Sequence, residues 1–231
     1  VDSQRNRKGW IQAEPGFLIP VEALPYIRKQ RFGKSISDEE LTPAYIQHTN
    51  QVLEMLIPFL PYTCTSILDI GCGIGGIDLL LYQFYTNELW EPDLYLLDSY
   101  EESEHVSYGY HNRFSVYNDL MITKKFLMGN GILEHRIHLI AANDDYMINS
   151  SDQVEMVISL GSWGYHYPLQ LYLNEVLRLL VPGGVVITTL RGNTNGAQTL
   201  ENHFCDVRII KSHLKEGGKQ GTTCMFARKA E

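Results

Sequence analysis

The sequence predicts an α/β protein: a Rossmann-like, doubly wound, mostly parallel seven-stranded sheet with a C-terminal antiparallel hairpin and an N-terminal helical arm. Three observations carry this. Short apolar runs alternate with helix-period segments along most of the chain, and strands separated by helices pair in parallel. A glycine-rich turn, Gly71 to Gly76, joins the first apolar run directly to a helical segment. The last two strand-like runs are separated only by a Gly-rich stretch, which fits an antiparallel pair.

The elements follow in order. Residues 1–40 are rich in turn formers and aromatics, among them Trp10, Pro15, Phe17, Pro20, Pro25, Tyr26 and Phe32, and read as an irregular arm or short helices. Tyr45, Ile46, Val52, Leu53, Leu56, Ile57 and Leu60 recur at helical spacing, so a helix is expected over 43–60, stopped by Pro61. Strands are expected at 66–70, 93–98, 136–142, 154–160 and 184–190. Helices are expected at 75–85, 115–129 and 168–180, with Pro182–Gly183–Gly184 turning the chain into the fifth strand. DVRIIKS (206–212) and TTCMFAR (222–228) form the closing pair. The expected division is an arm or lid over 1–42 and one ligand-binding domain over 43–231.

Composition narrows the function classes. With 44% hydrophobic and 20% charged residues in 231, the chain can bury one sizeable core. A net charge of -8 disfavours a nucleic-acid partner. Cys64, Cys72, Cys205 and Cys224 form no C-x-x-C pair, so no metal site is expected, and reduced thiols fit a cytoplasmic protein. No apolar run reaches the roughly 20 residues of a membrane helix. The start has no signal-peptide core, and Val1 suggests a trimmed chain.

The sharpest motif is ILDIGCGIGG, Ile67 to Gly76: strand, glycine turn, helix. Glycine lets the backbone turn tightly and lets a ligand approach the main chain. Gly71, Gly73 and Gly76 alone also satisfy the dinucleotide pattern, with Asp98 near the distance for a ribose contact, so a nicotinamide-dependent oxidoreductase stays open at this point. Asp69 favours a different ligand. A carboxylate at this turn repels a pyrophosphate but attracts the ammonium and sulfonium of S-adenosylmethionine.

With LYLLD, IHLIAAND, VISLGSW, LRLLVPGGVVITT and the final hairpin, the chain resembles the class I S-adenosylmethionine-dependent methyltransferases over roughly residues 43–231. The resemblance implies that Gly71, Gly73 and Gly75 line the methionine part of the cofactor and that Asp98 holds the ribose hydroxyls. It implies that the polar residue after the third strand meets the adenine amino group. Asn143 fits by register and Asp144 lies one place on, so both stay open. Ser99, after the ribose acid, and Leu160, ending the fourth strand, complete the expected cofactor set.

The acceptor is expected beyond the carboxyl ends of the strands. There GSWGYHYP, Gly161 to Pro168, packs three aromatics and a histidine into eight residues. Trp163, Tyr165 and Tyr167 are expected to wall the acceptor pocket, and His166 to take a proton as the catalytic base, since imidazole titrates near neutrality. The loop has no N-P-P-Y for amino methylation, no Pro-Cys pair for attack on cytosine carbon, and no acidic residue directly after the strand for magnesium. A metal-independent transfer to a small acceptor, a hydroxyl first, is the expectation; nitrogen or carbon of a small metabolite is the alternative. The string is similar to one found in sugar O-methyltransferases of surface-polysaccharide or glycoside pathways. The segment 99–114 is a second candidate wall: Tyr100 is expected to stack on adenine and Tyr108, Tyr110 and His111 to face the acceptor, with His111, Glu101, Glu102 and Glu104 as reserve bases. Tyr26, Arg28 and Arg31 are the arm residues expected over the site. The sequence leaves the acceptor, its regiochemistry and the oligomeric state open.

Overall fold

A computed structural model describes residues 16–32, 36–98, 118–213 and 221–231. Seven strands form one sheet: β1 (Ser66–Ile70), β2 (Asp93–Asp98), β3 (Ile137–Ala141), β4 (Val154–Ser159), β5 (Leu180–Arg191), β6 (Asp206–His213) and β7 (Thr222–Arg228). Their order is β3-β2-β1-β4-β5-β7-β6. Every neighbouring pair from β3 to β5 is parallel; β7 runs antiparallel to both β5 and β6. The expected architecture is the observed one.

Alternation along the strands builds two cores. Ile67, Leu94, Leu96, Met156, Ile158, Val185, Ile187 and Phe226 face one side of the sheet. That side is covered by α1 (Leu24–Ile27), α2 (Asp38–Leu56), α3 (Gly76–Thr86) and α4 (Leu120–Gly129). Leu68, Ile70, Tyr95, Leu97, Val157, Val186 and Met225 face the other, under α5 (Gln170–Leu179) and α6 (Gly196–His203). A period of two on a sheet covered on both faces gives two apolar layers.

Several boundaries are corrected. Helix α2 begins at Asp38, not 43, because Ser37 and Glu40 form a reciprocal capping box and three acids occupy the first turn. It runs through Pro43 and carries the chain across the division expected after residue 42. It ends at Leu56, before a single 3-10 turn over Ile57–Phe59, so Pro58 rather than Pro61 marks its limit. Pro182–Gly183–Gly184 is an excursion inside β5: Val154 pairs with Leu180 and Met156 with Val185. Helix α6 was not anticipated. It is eight residues long and its buried side chains are only Thr199 and Leu200, a weak periodic signal.

The carboxyl ends of β1, β2, β4 and β5 share one edge, and the chain reverses its direction of winding between β1 and β4. Open α/β sheets hold ligands at such a switch point.

Candidate functional site

Gly71, Gly73 and Gly75 take φ of 80°, 56° and 81°, the left-handed region that side chains disfavour. The turn is held from three directions. Gly71 N–H donates to Leu97 O at 2.7 Å, and Gly73 N–H donates to Asp98 Oδ2 at 2.8 Å. Gly73 O accepts from Asn118 Nδ2 and Thr123 Oγ1 at 2.7 and 2.6 Å. From the neighbouring strand, Ser159 Oγ donates to Ile70 O at 2.6 Å. Asp98 therefore shapes the turn as well as facing the space above it.

That space is a cavity of about 750 Å³ at the carboxyl edge. Of the expected residues, Asp69, Gly71, Gly73, Asp98, Leu160, Tyr165 and His166 line it. Others do not. Gly75 turns inward, its Cβ direction meeting Thr123 and Leu127 of α4. Asn143 closes its own turn, donating to Met147 O and accepting from Met147 N–H, and Asp144 is exposed beside it. Tyr26 packs against the apolar core. Arg28 pairs with Asp38 and donates to Ile36 O. Ser99, Tyr100, Glu101, Glu102, Glu104, Tyr108, Tyr110 and His111 lie outside the described residues, as does the side chain of Arg31.

The 161–168 loop divides into anchors and presenters, which corrects the expected aromatic wall. Trp163 is fully buried, donating Nε1–H to Leu169 O and its backbone N–H to Ser159 Oγ. Tyr167 is buried too, its hydroxyl 2.9 Å from Ser162 Oγ. A large apolar ring with one polar tip is stable inside when that tip finds a partner. Arg191 holds the half-buried part: its Nε donates to Tyr165 O at 3.0 Å and its guanidinium lies 4.9 Å from the Tyr165 ring centre. The Tyr165 and His166 rings meet edge to face at 5.0 Å, and these two side chains reach the cavity.

Beneath the turn, Asp69 of β1 and Asp78 of α3 are buried together. Burial, then the repulsion of Asp78, raises the Asp69 carboxyl well above the usual range. Burial pushes Asp78 up to about 7. Asp69 Oδ1 and both Asp78 oxygens have no donor among the described residues. Two such groups side by side are stable when they share a proton. Asp78 was missed in the sequence, although a lone charge in the apolar run GIDLLLYQF was a visible signal.

The arm and α2 supply further walls that the sequence reading missed. Gln30 stands over Gly73, 2.7 Å from where a Cβ would be, and the Tyr45 hydroxyl stands over Gly76. Lys29 and His48 also line the cavity. The residues present fit S-adenosylmethionine: the glycine turn carries the carboxyls of Asp69 and Asp98, which would favour a cationic ligand once ionised, and no cationic side chain that would hold a pyrophosphate.

No family model matches the sequence and no curated protein matches it. Solved structures share the fold. The O-methyltransferase segment StiE, residues 942–1257, superposes with a TM-score of 0.57 at 14% identity, covering 93% of this chain and 84% of that one. The T. thermophilus 16S rRNA N2 G1207 methyltransferase RsmC, solved with AdoMet and guanosine, gives 0.54 at 15% identity over 86% of this chain, which spans 45% of that one. The [4+2]-cyclase SpnF gives 0.53 at 14% identity over 85% of each chain.

Proposed function

On a chain with the class I S-adenosylmethionine-dependent methyltransferase fold, we propose that S-adenosylmethionine binds at the glycine turn and that its methyl group passes to a hydroxyl of a small acceptor. One observation carries this reading: Asp69, Gly71, Gly73 and Asp98 line the same cavity as Tyr165 and His166. Cofactor and acceptor would therefore meet in one enclosure, where alignment does most of the work.

When bound, the cofactor supplies a methyl on a sulfonium, activated for in-line displacement with loss of the thioether. Asp98 holds the ribose hydroxyls, Gln30 and the Asp69 carboxyl meet the methionine end, and Leu160 packs against the adenosine. His166 accepts the hydroxyl proton, on a backbone fixed by its N–H bond to Ser162 O at 2.8 Å. A net charge of -8 supports a small acceptor over a nucleic acid.

Calorimetry tests the cofactor: S-adenosylhomocysteine binds and NAD does not. Heat from NAD with none from S-adenosylhomocysteine would overturn the reading. Because a cyclase shares the fold, the activity assay must follow S-adenosylhomocysteine release in the presence of acceptor. His166→Ala should keep cofactor affinity and lower turnover by about 100-fold. Turnover that survives this change would remove His166 as the base.

A further inference from the structure

Midway along strand β6 a β-bulge decides which side chains enter the cavity. Ile209 pairs with Met225, but Lys211 pairs with Cys224, leaving Ile210 as the extra residue. Met225 faces the α5 and α6 side of the sheet, whereas Cys224 and Phe226 face the side of α2 and α3. In an unbroken ladder Ile210 would oppose Cys224 and Ser212 would oppose Thr222. One inserted residue exchanges the faces of all that follow, so Lys211 opposes Cys224 and His213 opposes Thr222.

Position completes the effect. Strand β6 is antiparallel to β7, which is antiparallel to β5, so the carboxyl end of β6 reaches the ligand edge. Lys211 and His213 line the cavity there, exposed at its mouth. Lys29 and His48 line it from the arm and α2. Among the described residues its only carboxylates are Asp69 and Asp98, both at the glycine turn. Among the described residues, the carboxylates of the cavity thus sit at the glycine turn, and Lys211 and His213 sit at its mouth. This stands on a chain of net charge -8, whose overall field repels anions.

From the bulge and this segregation we infer that the methyl acceptor carries an anionic group, a carboxylate or a phosphate, held by Lys211 and His213. Lysine binds such a group as a point charge and the imidazole N–H adds a directed hydrogen bond. The inference rests on the function proposed above and names the acceptor class for it.

The test uses three probes that share a ring: phenyl phosphate, benzoate and benzyl alcohol. Each is titrated into the full chain loaded with S-adenosylhomocysteine. One of the anions should bind at least about tenfold more tightly than the alcohol, and which one does so identifies the group. Lys211→Met should remove that preference and leave S-adenosylhomocysteine affinity unchanged. Arg208→Met, the same charge loss on the same strand but outside the cavity, should change nothing. Equal binding of benzyl alcohol, or an anion preference that survives Lys211→Met, overturns the inference. Titration of S-adenosylhomocysteine alone tests the cofactor reading, so the two fail separately.

Discussion

At the residue scale, the place proposed for Asp69 beside the cofactor would tie cofactor binding to the protons of the buried Asp69–Asp78 pair. Both carboxyls are raised above the usual range, Asp78 to about 7, because burial disfavours their charge. The folded state therefore holds more protons than the unfolded chain, and stability is fully present at low pH and lost as pH rises from about 4 to about 7. The amide introduced by Asp78→Asn can donate to Asp69 as the shared proton does. The variant should melt within a degree or two of the parent at pH 5 and roughly 5 °C above it at pH 8. Parallel melting curves at both pH values would show that the pair carries no proton. The same linkage predicts that affinity for S-adenosylmethionine, a cation, rises with pH through this window in the parent and flattens in Asp78→Asn. Sequence made the acid of β1 legible, because a carboxylate two places before a glycine turn has few other uses. It did not bring forward Asp78, whose partner is set by how α3 lies on β1.

At the element scale, the 161–168 loop divides its aromatics between the core and the cavity. The sequence showed three aromatics and a histidine in eight residues, but composition does not tell inward from outward in a turn-rich segment. Trp163 and Tyr167 turned inward because Ser159, Leu169 and Ser162 satisfy their polar atoms. Thr188 Oγ1 and Arg191 N–H then hold Trp163 O and Gly164 O from β5. Trp163→Ala should cost about 3–5 kcal/mol, seen as a lower melting temperature, and should also cut turnover by loosening His166. His166→Ala should cut turnover without moving the melting temperature. If Trp163→Ala left both unchanged, the loop would not be a braced platform. The strands were legible for the opposite reason: period-two alternation between two cores leaves little freedom of register. The bulge in β6 had no such signature, so Lys211 and His213 could be placed only once the ladder was known.

At the scale of the whole molecule, the question is whether the arm opens. The sequence suggested a lid over residues 1–42, with Tyr26, Arg28 and Arg31 above the site. The described part is bound into the fold. Phe17, Ala23 and Ile27 are buried in the same core as Ile67 and Leu94. The Phe17 ring meets Tyr45 of α2 at 6.1 Å and Phe126 of α4 at 5.6 Å, both edge to face. Asn130 clasps Leu18 through its N–H and its carbonyl. This packing leads us to expect that the roof over the glycine turn, which carries Gln30, stays in place. Two substitutions separate roof from contact. Ile27→Ala removes fully buried methylenes and should lower stability by about 2–5 kcal/mol, the loss appearing in the global unfolding transition. Gln30→Ala should leave that transition in place and weaken S-adenosylhomocysteine binding, since its side chain faces the cavity from above Gly73. A detachable lid predicts the reverse: Ile27→Ala would leave global stability intact, and only ligand exchange would quicken. Thermal melts and calorimetry on these two variants decide between a hinged cover and a wall of the core.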